Sequence, residues 1–462
     1  MARTSLEFPA VAILFALAVS GCAPLQQYRT NYEPCVSNTP DPSEECLPHA
    51  LQEYRFSTDA DQGFLLGFVE FDDQGLLFDR NQLKAVVDRL YQEAATKDLL
   101  IVVFMHGWKH NAAPGDDNIS TFRNVLMDLS AAEDRISKIT GDPPRQVAGV
   151  YLGWRGASLT LPLLEELTFW ERKNTAEKVG HVGVTEVLVW LDRIKRDKDS
   201  TEAGRERTKF VVAGHSFGGA ALFSALSQIL ESKFINTVGP AGTQSDAAGF
   251  GNLVVLINPA FEALLFAPIS DMSTDRGRYF ESQLPVLAVL TSEGDDATGI
   301  AFPVGRWFST FFEKGRDMQR RNATTNEDET ISEGKANITA VGHFEPYRTH
   351  YLRATEPQHA EQAVSTTAQK SVELFAQTSD AWEQDRPGST ISFGDSELER
   401  TKRSAGRNPY LVVGVDKEII ESHSDISDPR MIEFIKQLIL ISSQNPQQKQ
   451  ALEKMRLNPE LH

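Results

Sequence analysis

Short, continuous apolar runs alternate along this chain with stretches whose apolar residues recur every three or four positions. Phe64–Phe71, Leu99–Met105 (LLIVVFM), Val147–Leu152, Phe210–Ala213, Leu253–Ile257, Val286–Leu290 and Tyr410–Val415 read as strands, most of them buried on both faces. Leu83–Ala95, Ile119–Ile136, Trp170–Lys195, Ala220–Leu230 and Pro429–Ser442 read as helices. The alternation predicts an α/β fold. A mainly parallel central sheet would carry helices on both faces, joined by right-handed crossovers.

Two regions break the rhythm. Residues 22–60 are rich in Pro, Asn, Gln and Ser and read as a tether leading to a domain at 61–445. Between Leu290 and Tyr410 lie about 120 residues, too many for a loop. Within them, 300–405 reads as a cap-like insertion before the last strand, placed to act as a lid. It is polar and charged around Arg320–Lys335 and aromatic at Phe302, Trp307, Phe308, Phe311 and Phe312. Those aromatics suit either an apolar acyl chain or the cap's own core. Residues 446–462 form a C-terminal tail.

The first residues, MARTSLEFPAVAILFALAVSGC, add a targeting signal. Ala10–Val19 is apolar but spans only about half of the roughly 20 residues that a bilayer crossing needs, which suits a signal peptide over 1–21. The closing Leu17-Ala18-Val19-Ser20-Gly21-Cys22 resembles a bacterial lipobox, which implies cleavage before Cys22 and a lipid on its sulfur. Ala23, where Asp would retain the chain at the inner membrane, directs it to the outer membrane facing the periplasm. Export places Cys35 and Cys46 in an oxidising space where they could form a disulfide.

Composition narrows the partners. The 462 residues are 41% hydrophobic, enough for a sizeable core, and carry a formal charge of −18. Such a surface repels nucleic acid and anionic membrane. The only three cysteines lie near the N-terminus, and no CxxC or HExxH spacing occurs, so neither a metal nor another cofactor is expected.

The chemistry centres on Phe210–Gly219, FVVAGHSFGG, where an apolar strand runs into G-x-S-x-G and then a helix. Such a serine sits on a sharp, strained turn with its Oγ presented for attack. That makes Ser216 the candidate nucleophile. Gly214 and Gly218 leave room for the turn, and His215 would brace it. After Leu99–Met105 comes His106-Gly107-Trp108. Gly107 permits close backbone approach, and the N–H groups of Trp108 and Phe217 would form an oxyanion hole. His106 reads as a packed residue bracing that loop.

Partners of such a serine follow in the order acid, histidine. Val286–Leu290 leads into Thr291-Ser292-Glu293-Gly294-Asp295-Asp296, which favours Asp295, with Asp296 and then Glu293 as alternatives. His423 lies between the last strand and the final helix, where the base belongs. His350 and His343 are the alternatives. On the favoured reading these two belong to the insertion and would line the pocket.

These segments bring a family into view. FMHGWKHNA at 104, VYLGWRG at 150, FWERK at 169, VVAGHSFGGA at 211, VVLINPAFEA at 254, GDDATGIAFP at 294 and ESHSDI at 421 resemble the α/β-hydrolase superfamily of esterases and lipases. Within it they look like a poorly characterised group of bacterial serine hydrolases. The resemblance implies cofactor-free hydrolysis of a small-molecule or lipid ester through an acyl-enzyme. The same machinery suits amides, thioesters and acyl transfer to an alcohol. A non-catalytic envelope lipoprotein that uses the fold as a binding or scaffolding module is the rival from another class.

Overall fold

The computed structural model describes residues 24–56, 63–157, 169–201, 207–303, 306, 313–355 and 368–444. The signal peptide, Cys22, the tail, and Trp307, Phe308, Phe311 and Phe312 lie outside the described residues.

The strands of the main sheet are β1 (Asn31–Ser37), β2 (His49–Arg55), β3 (Gly63–Glu70), β4 (Leu99–Met105), β5 (Gln146–Gly153), β6 (Lys209–His215), β7 (Leu253–Ile257), β8 (Leu287–Ser292), β9 (His350–Ala354), β10 (Thr390–Ser392), β11 (Ser396–Arg400) and β12 (Tyr410–Val415). Their order across the sheet is β1-β2-β3-β5-β4-β6-β7-β8-β12-β9-β11-β10. The pairs β2–β3, β9–β11 and β10–β11 are antiparallel. The rest are parallel. The molecule is an α/β protein with a mainly parallel central sheet.

Central strands are apolar except at their ends because both faces are covered. In β4, Leu99, Ile101, Val103 and Met105 enter a core shared with helices Arg80–Ala94, Thr185–Thr201 and Phe217–Ile235. Leu100, Val102 and Phe104 point the other way, into a second core shared with helices Asp117–Thr140 and Pro429–Ser443. The helix expected over Trp170–Lys195 is present as Phe169–Val179 and Thr185–Thr201, joined by a π-helical turn at Gly180–Val184. At Gly180 a Cβ would lie 2.2 Å from the Ala221 carbonyl oxygen, so only glycine lets this turn press against helix Phe217–Ile235.

The stretch read as a tether supplies β1 and β2 and is part of the sheet. Its polarity misleads because β1 is an edge strand with little buried surface and contains Pro34, an edge-tolerated residue. In β2, Gln52 and Glu53 are buried but satisfied. Gln52 Nε2 donates to the Cys46 carbonyl at 2.9 Å, and Arg89 Nε donates to Glu53 Oε1 at 2.8 Å. Cys35 of β1 is disulfide-bonded to Cys46.

The 300–405 segment is likewise not a single cap. It provides β9, β10 and β11, which extend the sheet beyond β12. The strand signal in β11 is hidden by Arg400, which points inward and is buried against Asp385. A hairpin of Asp317–Asn322 with Glu327–Ser332 is the part that stands apart from the sheet. It packs on helix Ala263–Arg276 through Arg320, which donates to Ser270 Oγ at 2.8 Å.

Candidate active site

The site lies along the carboxyl ends of the parallel strands. Ser216 follows β6 at φ +54°, ψ −120°, a conformation that L residues rarely adopt, and begins helix Phe217–Ile235. The turn is held from three directions. The Ser216 N–H donates to the Ile257 carbonyl at 2.8 Å. A Cβ on Gly218 would lie 2.2 Å from the Met105 carbonyl oxygen, and one on Gly107 would lie 2.7 Å from Ser216 Cβ. Both glycines let the turn and the loop after β4 meet. Lys109 (φ +71°) and Asn258 (φ +44°) also carry positive φ, just beyond β4 and β7. Backbone strain therefore gathers at this edge.

Asp295, after β8, and His423, after β12, converge on the serine. The Ser216 hydroxyl and His423 Nε2 are 2.6 Å apart, and His423 Nδ1 lies 2.8 Å from Asp295 Oδ2. The carboxylate requires a proton on Nδ1, which leaves Nε2 as the acceptor for the serine proton. Asp295 is buried, whereas the His423 side chain is 18% exposed. Burial pushes the Asp295 pKa upward, but hydrogen bonds and charge from His423 and Thr298 outweigh it, so the carboxyl is held below its ordinary value.

The remaining residues hold this arrangement. His423's carbonyl accepts from His215 Nε2 and from Asn258 Nδ2, each at 2.9 Å. Asn258 Oδ1 accepts the Ser292 N–H at 2.9 Å, which links the histidine loop to the acid-bearing strand. Burial drives the His215 pKa down to about 3, so the ring is neutral and its Nε2 carries the donated proton. His106 is neutral for the same reason, at about 4. It stacks on Trp154, and its Nε2 accepts the Trp154 N–H at 3.1 Å. Phe217 is the first residue of helix Phe217–Ile235, where N–H groups have no intrahelical acceptor, and Trp108 follows Gly107, which packs against Ser216. The Trp108 ring packs edge-on against Phe169.

The alternative residues fall elsewhere. Asp296 is exposed, and Glu293 pairs with Arg353 at 3.3 Å. His350 is buried in β9, and its Nδ1 lies 2.8 Å from Thr349 Oγ1. His343 does reach the site, one step removed. Its Nε2 lies 3.0 Å from Thr298 Oγ1, and that hydroxyl donates to Asp295 Oδ2. Phe302, from the aromatic stretch, is buried against Trp170 rather than lining an open cleft. Asn258 and Thr298 have no sequence signal of their own beyond lying directly after a strand and beside the acid. Among the described residues no group of His, Cys, Asp and Glu could hold a metal, and no helix is long and apolar enough to cross a membrane.

The sequence matches no protein-family model and no curated protein. Two solved structures are similar to parts of it. Phospholipase PlaB from Legionella pneumophila, in complex with thio-NAD, is 14% identical with a TM-score of 0.27, covering 78% of this chain and 62% of that one. A Trichoderma reesei cutinase in complex with a phosphonate inhibitor is 12% identical with a TM-score of 0.16, covering 39% of this chain and 67% of that one. The chain thus spans less than two thirds of the length of the PlaB structure.

Proposed function

We propose that this chain is a serine hydrolase of carboxylic esters, held by a lipid on Cys22 at the bacterial outer membrane and facing the periplasm. The observation that carries the catalytic reading is the unbroken chain Ser216 Oγ–His423 Nε2, His423 Nδ1–Asp295 Oδ2, at 2.6 and 2.8 Å, on a strained turn.

His423 Nε2 takes the hydroxyl proton as Ser216 Oγ attacks the acyl carbonyl. Asp295 stabilises the resulting imidazolium. The N–H groups of Trp108 and Phe217 receive the oxyanion. The imidazolium then protonates the departing alcohol, which leaves an acyl-Ser216 ester. Water, deprotonated by the same histidine, releases the acid. No step calls for a cofactor.

Acid-quenching a reaction with an activated ester and mapping the adduct by mass spectrometry tests this. The expected product is one acyl group on the peptide that contains Ser216. Turnover with no adduct, or with an adduct elsewhere, contradicts it. One observation favours the rival non-catalytic role: Ser216 as a whole is only 2% accessible. On that reading no activated ester acylates it.

A further inference from the structure

The folding of residues 31–55 into the sheet removes the spacer that would separate an anchor from the domain, and the point where the chain enters can be located. The N–H groups of Tyr28 and Arg29 both donate to the Glu70 carboxylate at 2.8 Å. Glu70 is the last residue of β3. Arg29 Nε donates at 3.0 Å to the carbonyl of Ala112, on the loop that follows His106-Gly107-Trp108.

Strand register fixes the level of this clamp. Glu70 pairs with Gly153, Leu152 with Met105, and Met105 with Gly214. Glu70 is therefore level with His215, the residue before Ser216. It lies three strand spacings, about 14 Å, from β6. Pro24, ahead of the clamp, lines a cavity of about 160 Å³ with Phe71, Phe78, Lys109, Trp154 and Arg155. Cys22 is two residues upstream, at most roughly 7 Å away. Two exposed leucines share this edge. Leu25 adjoins Pro24, and Leu76 sits on the turn that leaves β3; they are 49% and 56% exposed.

We infer that the anchor holds the carboxyl edge of the sheet, and with it the Ser216 site, directly against the bilayer, with Leu25 and Leu76 dipping into its surface. The substrates are then ester-bearing lipids of the membrane that carries the anchor. This inference rests on the reading of Cys22 as lipidated and of Ser216 as the nucleophile.

The test uses the lipidated full chain in vesicles of the zwitterionic lipids phosphatidylethanolamine and phosphatidylcholine, which do not repel its negative charge, with a doxyl-labelled phospholipid added. With Cys22 acylated and Cys35 bonded to Cys46, Leu76→Cys supplies the one thiol for a fluorophore. Lys138→Cys, near the end of helix Asp117–Thr140 at the opposite edge, is the control. A second form carries about 30 Gly/Ser residues between Ala23 and Pro24, a coil spanning roughly 30 Å.

The expected result is strong quenching at position 76 and little at 138, with the difference lost in the spacer form. The spacer should also slow hydrolysis of bilayer lipid by about tenfold or more while leaving a soluble ester unaffected. Equal quenching at the two positions, or equal bilayer-lipid rates with and without the spacer, overturns the inference. A parent that shows the quenching contrast but hydrolyses no ester overturns the nucleophile reading and leaves the orientation standing.

Discussion

The carbonyl oxygen of His423 accepts a hydrogen bond from Asn258 Nδ2 at 2.9 Å. Asn258 sits at φ +44°, a conformation that asparagine tolerates better than most residues, and its Oδ1 is tied to Ser292. One side chain thus spans the loop that carries His423 and the strand that leads to Asp295. Asn258→Ala should lower kcat with little change in KM, because the base is displaced while substrate contacts stay. A lost hydrogen bond of about 1–1.5 kcal/mol corresponds to roughly tenfold. Steady-state kinetics with a soluble ester check this, and a change confined to KM would contradict it.

Thr298 holds the acid in its charged form. Its hydroxyl donates to Asp295 Oδ2 and its backbone N–H to Oδ1. Thr298→Val removes one donor to a carboxylate and should raise the Asp295 pKa. The acid limb of the kcat/KM profile should then move to higher pH, and Thr298→Ser should restore it. His343 hydrogen-bonds the Thr298 hydroxyl and not the carboxylate itself, so His343→Ala should shift the limb less than Thr298→Val. An unmoved limb in Thr298→Val would contradict this role.

The buried histidines make the fold acid-sensitive. His106 and His215 have native pKa values of about 4 and about 3, below the unfolded value, because burial disfavours the charged ring. An unfolded chain therefore binds more protons below about pH 6.5. The stability contribution is complete above that pH and is lost as pH falls towards the native values. The slope is about 1.4 kcal/mol per pH unit for each ring. Urea unfolding at pH 7.5 and pH 5 should differ by about 4 kcal/mol from these two rings alone. Replacing His106 with Gln should halve their share of the slope.

The disulfide guards the sheet edge. Cys35 and Cys46 are separated by 11 residues and pin β1, the outermost strand. Closing a loop of this size is worth about 3 kcal/mol by loop entropy. Reduction should accelerate hydrogen exchange across residues 31–55 and leave β4, β6 and β7 protected. Uniform acceleration across the sheet would show that the edge is not an independent unit.

The centre of the fold was legible because burial on both faces turns β4, β5, β6, β7, β8 and β12 into apolar runs that no polar residue interrupts. The elbow was legible because its geometry tolerates only small residues at Gly214 and Gly218. The edges were not. β1 is mostly exposed, and β2 and β11 bury Glu53 and Arg400, whose charges are balanced by Arg89 and Asp385 from distant parts of the chain. Such partners cannot be read from local pattern. Asn258 and Thr298 were hidden for the same reason, since each acts only once β7, β8 and the His423 loop are side by side.

The most direct test of the central claim is labelling of the purified chain, residues 23–462, by a fluorophosphonate, beside Ser216→Ala and His423→Ala. The account predicts labelling of the parent, none in Ser216→Ala, and a much slower reaction in His423→Ala. Full-rate labelling of His423→Ala, or a parent that does not react, would contradict it.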